Sequence, residues 1–122
     1  MQYERIQKIA LENIAFRRVV FTNKYSQVVL MSLLPGEDIG MEVHDDIDQV
    51  LVFVSGTGEA VIGNEKHPIQ AGDLFDVPAS TLHNFTNTGE VALKLFTIYS
   101  PPEHPDGVVF PTKAEAALAH AH

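Results

Sequence analysis

Apolar and polar residues alternate in short runs along most of this chain, and the period changes once, near residue 16. Before that point Ile6, Ile9, Ala10 and Ile14 recur at helical spacing, which predicts a short amphipathic helix over residues 4–14. After it come β-rich runs at 16–21, 27–34, 39–44, 50–55, 59–62, 67–70, 73–77, 82–87 and 91–99. Turn residues separate them: Asn23, Pro35-Gly36, Gly56-Thr57-Gly58, Gly63-Asn64, Ala71-Gly72, Pro78 and Thr88-Gly89. Gly63-Asn64 reads as a tight hairpin. Many short strands with almost no helix between them predict an all-β antiparallel sandwich or barrel, not a βαβ fold. Pro101, Pro102, Pro105 and Pro111 then remove backbone donors, so 100–112 is expected as an extended surface segment outside the sheets. A last short, frayed helix is expected over 114–121. No repeat or boundary interrupts residues 1–122, which are expected to form one domain with its barrel core over about 28–100.

Composition narrows the function more than the fold. Apolar residues make up 45% and charged residues 20%, an ordinary globular balance. The longest apolar run, Val50 to Val54, is far below the roughly 20 residues that cross a bilayer. That run is apolar on both strand faces, so a second sheet or another subunit is expected to cover it. Glu4, Arg5 and Lys8 break up any signal-peptide core at the N-terminus. With no cysteine, disulfides and thiolate metal sites are ruled out, and a cytoplasmic location is the simplest expectation. Sixteen acidic residues against eight basic ones leave a net charge of −8, with no basic cluster longer than Arg17-Arg18. Nucleic acid and anionic membrane are therefore poor partners, and a large polyanionic substrate is disfavoured. A small molecule remains.

The candidate chemistry lies in two spaced patterns. In the first, Gly36 is followed after five residues by Glu42, after one more by His44, after four by Gln49 and after six by Gly56. In the second, Gly72, Pro78, Ser80, His83 and Asn87 follow at gaps of five, one, two and three residues. Glu42 and His44, two apart on a strand, point to one face, and in a small barrel one face is the interior. Asp46 and Asp48 are alternative donors by the same alternation. Alternation alone leaves these open, with Asp45-Asp46-Ile47-Asp48 otherwise read as a solvated acidic turn.

These patterns resemble the two motifs of the cupin superfamily over roughly residues 28–100, with Ser80 where the family has its middle glycine. The family's first His is Glu42 here and its Glu is Gln49. The resemblance implies a double-stranded β-helix (jelly-roll) barrel, and a mononuclear site of Glu42, His44, Gln49 and His83, with Gln49 opening the partner strand of the 39–44 hairpin. Two imidazoles and one carboxylate suit one divalent transition metal: Fe, Mn, Ni or Zn. The rival is a metal-free pocket with a Glu42–His44 ion pair. The resemblance also implies a homodimer. Asp48-Gln49 and the segment from Tyr99 to Gly107 are similar to those of stand-alone cupins labelled mannose-6-phosphate-isomerase-like.

Fold does not choose function within such a family. The expected activity is a metal-dependent reaction of isomerase or dioxygenase type on a small oxygenated metabolite, with Glu42 as a general base once released from the metal. The alternative is a binding or sensing module without turnover; a storage protein is the third. Phe85 and Tyr99 are candidate pocket walls, and His104, in the stiff Pro-rich segment, is a candidate substrate contact at the barrel mouth. Phe75 and Phe96 belong to core or pocket wall. His67 is read as an unpaired surface residue, His120 and His122 as an idle tail. Lys94 is expected to face solvent or a partner, which leaves few basic residues pointing inward and makes sugar phosphate an uneasy fit.

Overall fold

The computed structural model describes residues 1–120. Its elements run α1 (Ile6–Glu12), β1 (Arg17–Thr22), β2 (Gln27–Leu33), β3 (Asp48–Ser55), β4 (Thr57–Ile62), β5 (Glu65–Gln70), β6 (Leu74–Val77), β7 (His83–Asn87), β8 (Leu93–Ser100), β9 (Val109–Phe110) and α2 (Lys113–His120). Antiparallel pairing gives a six-stranded sheet in the order β6-β3-β8-β2-β1-β9 and a three-stranded sheet in the order β5-β4-β7. His122 lies outside the described residues. No described helix is long and apolar enough to cross a membrane.

Alternation decides what faces inward. Gln49, Leu51 and Phe53 of β3, Leu93, Leu95, Thr97 and Tyr99 of β8, and His83, Phe85 and Asn87 of β7 are buried, while the residues between them are half-buried or exposed. The two sheets therefore close on one core, with Gln49 at the start of β3, His83 at the start of β7 and Tyr99 near the end of β8 among its polar inward residues. Gly56 makes the β3–β4 corner possible. Its φ is +93°, and a Cβ there would sit 2.7 Å from the Ala92 carbonyl oxygen. The Gly63-Asn64 hairpin joins β4 and β5, with Ile62 opposite Glu65.

The helix is shorter than expected. It ends at Glu12 because Asn13 turns its side chain onto the Ala15 backbone, accepting from its N–H at 3.1 Å and donating to its carbonyl at 2.9 Å. Ile14, expected on its apolar face, is exposed. Lys94 does point outward, and its Nζ donates to the Leu11 carbonyl at 2.7 Å, tying the end of α1 to β8. His67 is exposed but not alone: Glu65 lies 3.2 Å away.

Two segments differ more. Residues 39–44 form no strand; single bridges at Asp38–Thr86 and Glu42–His83 attach this stretch to β7. Gly36 and Gly40, at φ +85° and +113°, interrupt the extended backbone on either side of Asp38. Gln49 is not the partner of this stretch, because β3 pairs with β6 and β8 in the larger sheet. The Pro-rich segment also does more than cross the surface. Val109 and Phe110 pair with Arg18 and Arg17 at the sheet edge, and Pro111, lacking only its N–H, accepts from Phe16 N–H at 3.1 Å.

Next, α2 folds back over the barrel, burying Ala116 against the core. Lys113 Nζ donates to Asp38 Oδ1, and Asn84 Nδ2 donates to Asp38 Oδ2 at 2.9 Å. Lys113 first and Asn84 second hold the Asp38 carboxyl below its ordinary value of 3.8, against a smaller opposing effect of burial. A carboxylate depressed by folding stabilises fully above its unfolded pKa and loses that contribution as pH falls through the folded one. Lys113→Ala is therefore expected to lower Tm near neutral pH, with the gap to wild type closing below about pH 3.8. Melting curves across that range check it; a gap independent of pH would refute the anchor.

Candidate metal centre

Glu42 and His83 face each other where the 39–44 stretch meets β7. Glu42 N–H donates to the His83 carbonyl at 2.9 Å, and His83 N–H returns the bond to Glu42 at 2.9 Å. Directly opposed residues in an antiparallel bridge project their side chains to the same side, so both donors enter the barrel. His44, two residues on, follows Glu42 to that face. Its carbonyl accepts from Ser80 N–H at 2.6 Å. Ser80 has φ +68°, a left-handed conformation that explains glycine as the usual residue at this point of the motif.

The three side chains converge. One ligand atom from each of Glu42, His44 and His83 lies within 4.8 Å of the others, and the two imidazole rings are 5.8 Å apart. Glu42 Oε2 is 2.9 Å from His44 Nε2, so the Glu42–His44 contact considered from the sequence is present inside the cluster. His83 is 2% exposed, and its Nδ1 lies 2.8 Å from the Thr81 carbonyl oxygen. A carbonyl only accepts, so Nδ1 carries a proton, which leaves Nε2 as the ring atom that can offer a lone pair. Such a backbone brace is the usual support of a metal-binding imidazole.

Gln49 reaches the interior from the opposite sheet. Its Nε2 donates to Thr97 Oγ1 at 3.0 Å, while its buried Oε1 has no hydrogen-bond partner among the described residues. An orphaned buried carbonyl on the barrel interior calls for a partner, and a bound ion would supply one. Asp46 is exposed, and Asp48 accepts from Ala79 N–H at 2.9 Å, so the acidic turn stays outside this cluster.

The other sequence candidates separate. Phe85 is wholly buried between Phe53 and Phe75, with the His83 ring 6.2 Å away, so it packs beneath the site. His104 does reach the mouth: with Glu42 it borders a cavity of about 180 Å³, and its ring meets Tyr99 edge-on at 5.1 Å. Tyr99 is 2% exposed. Burial pushes its hydroxyl well above the ordinary 10; Arg17 opposes that rise, and Glu42 and Glu103 add to it. Larger surface depressions lie along α1, away from these donors.

Three residues of this mouth escaped the sequence reading. Glu103 Oε2 lies 3.8 Å from His44 Nδ1. Arg17 and Lys113 border the same cavity, which corrects the expectation that basic residues would be scarce inside. The strap carrying Glu103 and His104 is held by Gln27, fully buried on β2. Its Oε1 accepts from Glu103 N–H at 3.2 Å and His104 N–H at 3.0 Å, and its Nε2 donates to the His104 carbonyl at 2.7 Å.

Comparison with known proteins agrees with this architecture. Residues 29–99 match the family profile described as the cupin domain. The Bacillus subtilis protein YrkC is 43% identical over 120 residues, which is 93% of this chain but 64% of that protein. The solved structure of BH2720 from Bacillus halodurans superposes with a TM-score of 0.94 at 39% identity, covering 96% of this chain and 93% of that one. A Thermotoga maritima protein described as a predicted oxalate decarboxylase gives a TM-score of 0.62 at 25% identity, over 66% and 70% of the two chains.

Proposed function

Since the chain belongs to the cupin family, we propose that Glu42, His44, Gln49 and His83 hold one divalent transition metal and serve an enzyme acting on a small oxygenated metabolite. The observation that carries this reading is the reciprocal Glu42–His83 bridge, which sets both donors, and His44 with them, around a common point. A bound divalent ion would supply Lewis-acid polarisation of a carbonyl or hydroxyl oxygen, or oxygen chemistry if ferrous. The chain's own residues do the rest. Glu42 borders both the donor cluster and the cavity, so its carboxylate can accept a substrate proton once it swings toward the cavity. His104 and Glu103 form one wall of that cavity, and α2 closes another, which limits water around the reacting group.

Protein purified without chelator is expected to carry about one transition-metal ion per chain, as holding a mononuclear site requires. Elemental analysis measures this, and a metal-free preparation would sink the proposal. A loaded protein that retained a metabolite unchanged would instead mark a binding module.

The proposed homodimer has support in the outer face of the larger sheet. Val50, Val52 and Val54 of β3 and Phe96 and Ile98 of β8 stay half-buried there, only partly covered by α1. Apolar contiguity of this kind marks association surfaces. Light scattering is expected to give twice the chain mass of 13.4 kDa; a monomer mass would refute it.

A further inference from the structure

Arg17 is a buried charge that the metal centre leaves unused. It lies on β1 facing the barrel interior and is 8% exposed. Among the described residues no hydrogen bond or ion pair reaches its side chain, and its buried Nε has no acceptor. Its described contact is the Phe16 ring, whose centroid is 5.3 Å from the guanidinium carbon. An unpaired buried charge is costly, and arginine cannot escape that cost by losing its proton. The nearby groups do not resolve it. Glu42 and Glu103 border the same cavity without making an ion pair with Arg17, and Lys113 is occupied by Asp38. The mouth therefore carries a cation that borders the cavity with no hydrogen-bonded or ion-paired partner among the described residues.

Building on the metal-site reading, we propose that Arg17 binds the carboxylate of a small 2-oxo or 2-hydroxy acid in this cavity, turning the oxygen on the adjacent carbon toward Glu42, His44 and His83. Three features select that class. A guanidinium fork matches a planar carboxylate with two parallel hydrogen bonds. One unmatched cation calls for one negative charge, whereas a dianionic phosphate would face the carboxylates of Glu42 and Glu103. The cavity of about 180 Å³ is also smaller than the roughly 300–1,000 Å³ that encloses drug-sized ligands, which limits the occupant to a few carbons.

The test uses pyruvate as probe, with inorganic phosphate for comparison. Calorimetry is run on wild type, Arg17→Lys and Arg17→Met, each as purified and after chelator treatment. Pyruvate is expected to saturate wild type and to bind at least about tenfold more weakly to Arg17→Met, with Arg17→Lys between them, because a point charge replaces only part of the fork. Metal content is expected to be the same in all three. Without ligand, Arg17→Met is expected to melt no lower than wild type, since it removes an unmatched buried charge. Equal pyruvate affinity in wild type and Arg17→Met, tighter binding of phosphate, or a melting point several degrees lower in Arg17→Met would each overturn the assignment. The two readings fail separately. Wild type that carries no metal as purified without chelator yet binds pyruvate through Arg17 would refute the metal centre alone, and loaded protein indifferent to pyruvate would refute the carboxylate subsite alone.

Discussion

His83→Ala is expected to lose at least about a hundredfold in metal affinity, so that the variant purifies nearly free of metal under conditions that load wild type. Removing an outer partner of a metal ligand already costs about 10–100-fold, and removing the ligand itself costs more. His83 has the most to lose of the four donors. It is the most enclosed of the convergent trio, and its ring is fixed from behind by the Thr81 carbonyl, so little conformational freedom is lost when it binds. Gln49→Ala is expected to have a smaller effect, since an amide carbonyl carries no charge to the ion. Glu42→Gln should fall between them, keeping the shape and removing the one carboxylate. Elemental analysis of the three variants, with circular dichroism to confirm folding, ranks them. If His83→Ala kept its metal, the centre would have to lie elsewhere.

Gln27→Leu is expected to destabilise the protein by roughly 3 kcal/mol, at about 1–3 kcal/mol for each buried polar group left unpaired. The substitution keeps similar bulk and removes a partner of two backbone N–H groups and one carbonyl on the strap. It also strands Thr22, whose Oγ1 accepts from Gln27 Nε2 at 2.9 Å. The strap can recover part of this by lifting toward water, and that lifting has its own signature: faster proteolysis around residues 102–107. Urea denaturation gives the stability change. A loss under about 1 kcal/mol with unchanged proteolysis would show that the prolines alone hold the strap in place.

What the sequence revealed and what it hid follow a common line. Glu42, His44 and His83 were legible because strand alternation and motif spacing are local, and the opposed Glu42–His83 pair converted that spacing into convergence. The strand assigned to 39–44 failed for a local reason too, since Gly40 at positive φ interrupts it. Arg17 could have been found. Two adjacent arginines on a strand must point to opposite faces, so one of Arg17 and Arg18 had to face inward. Arg18 is exposed and Arg17 is not. Glu103 was out of reach. Its position depends on Gln27, far away along the chain, and no periodicity reports a side chain that clamps a distant backbone. The α2 helix is similar: its weak amphipathic pattern suggests fraying, yet Ala116 is buried and Lys113 is tied to Asp38.

The reciprocal backbone bonds between Glu42 and His83 bear on how this centre would behave when the sheet edge breathes. Two residues that grip each other in both directions travel together, so small excursions of that edge carry both donors along and leave the bite between them unaltered. His44 answers to a different anchor, the left-handed turn at Ser80, and can be displaced independently. A metal held there would meet a stiff pair and a hinged third arm, and exchange of the ion would begin at the hinge.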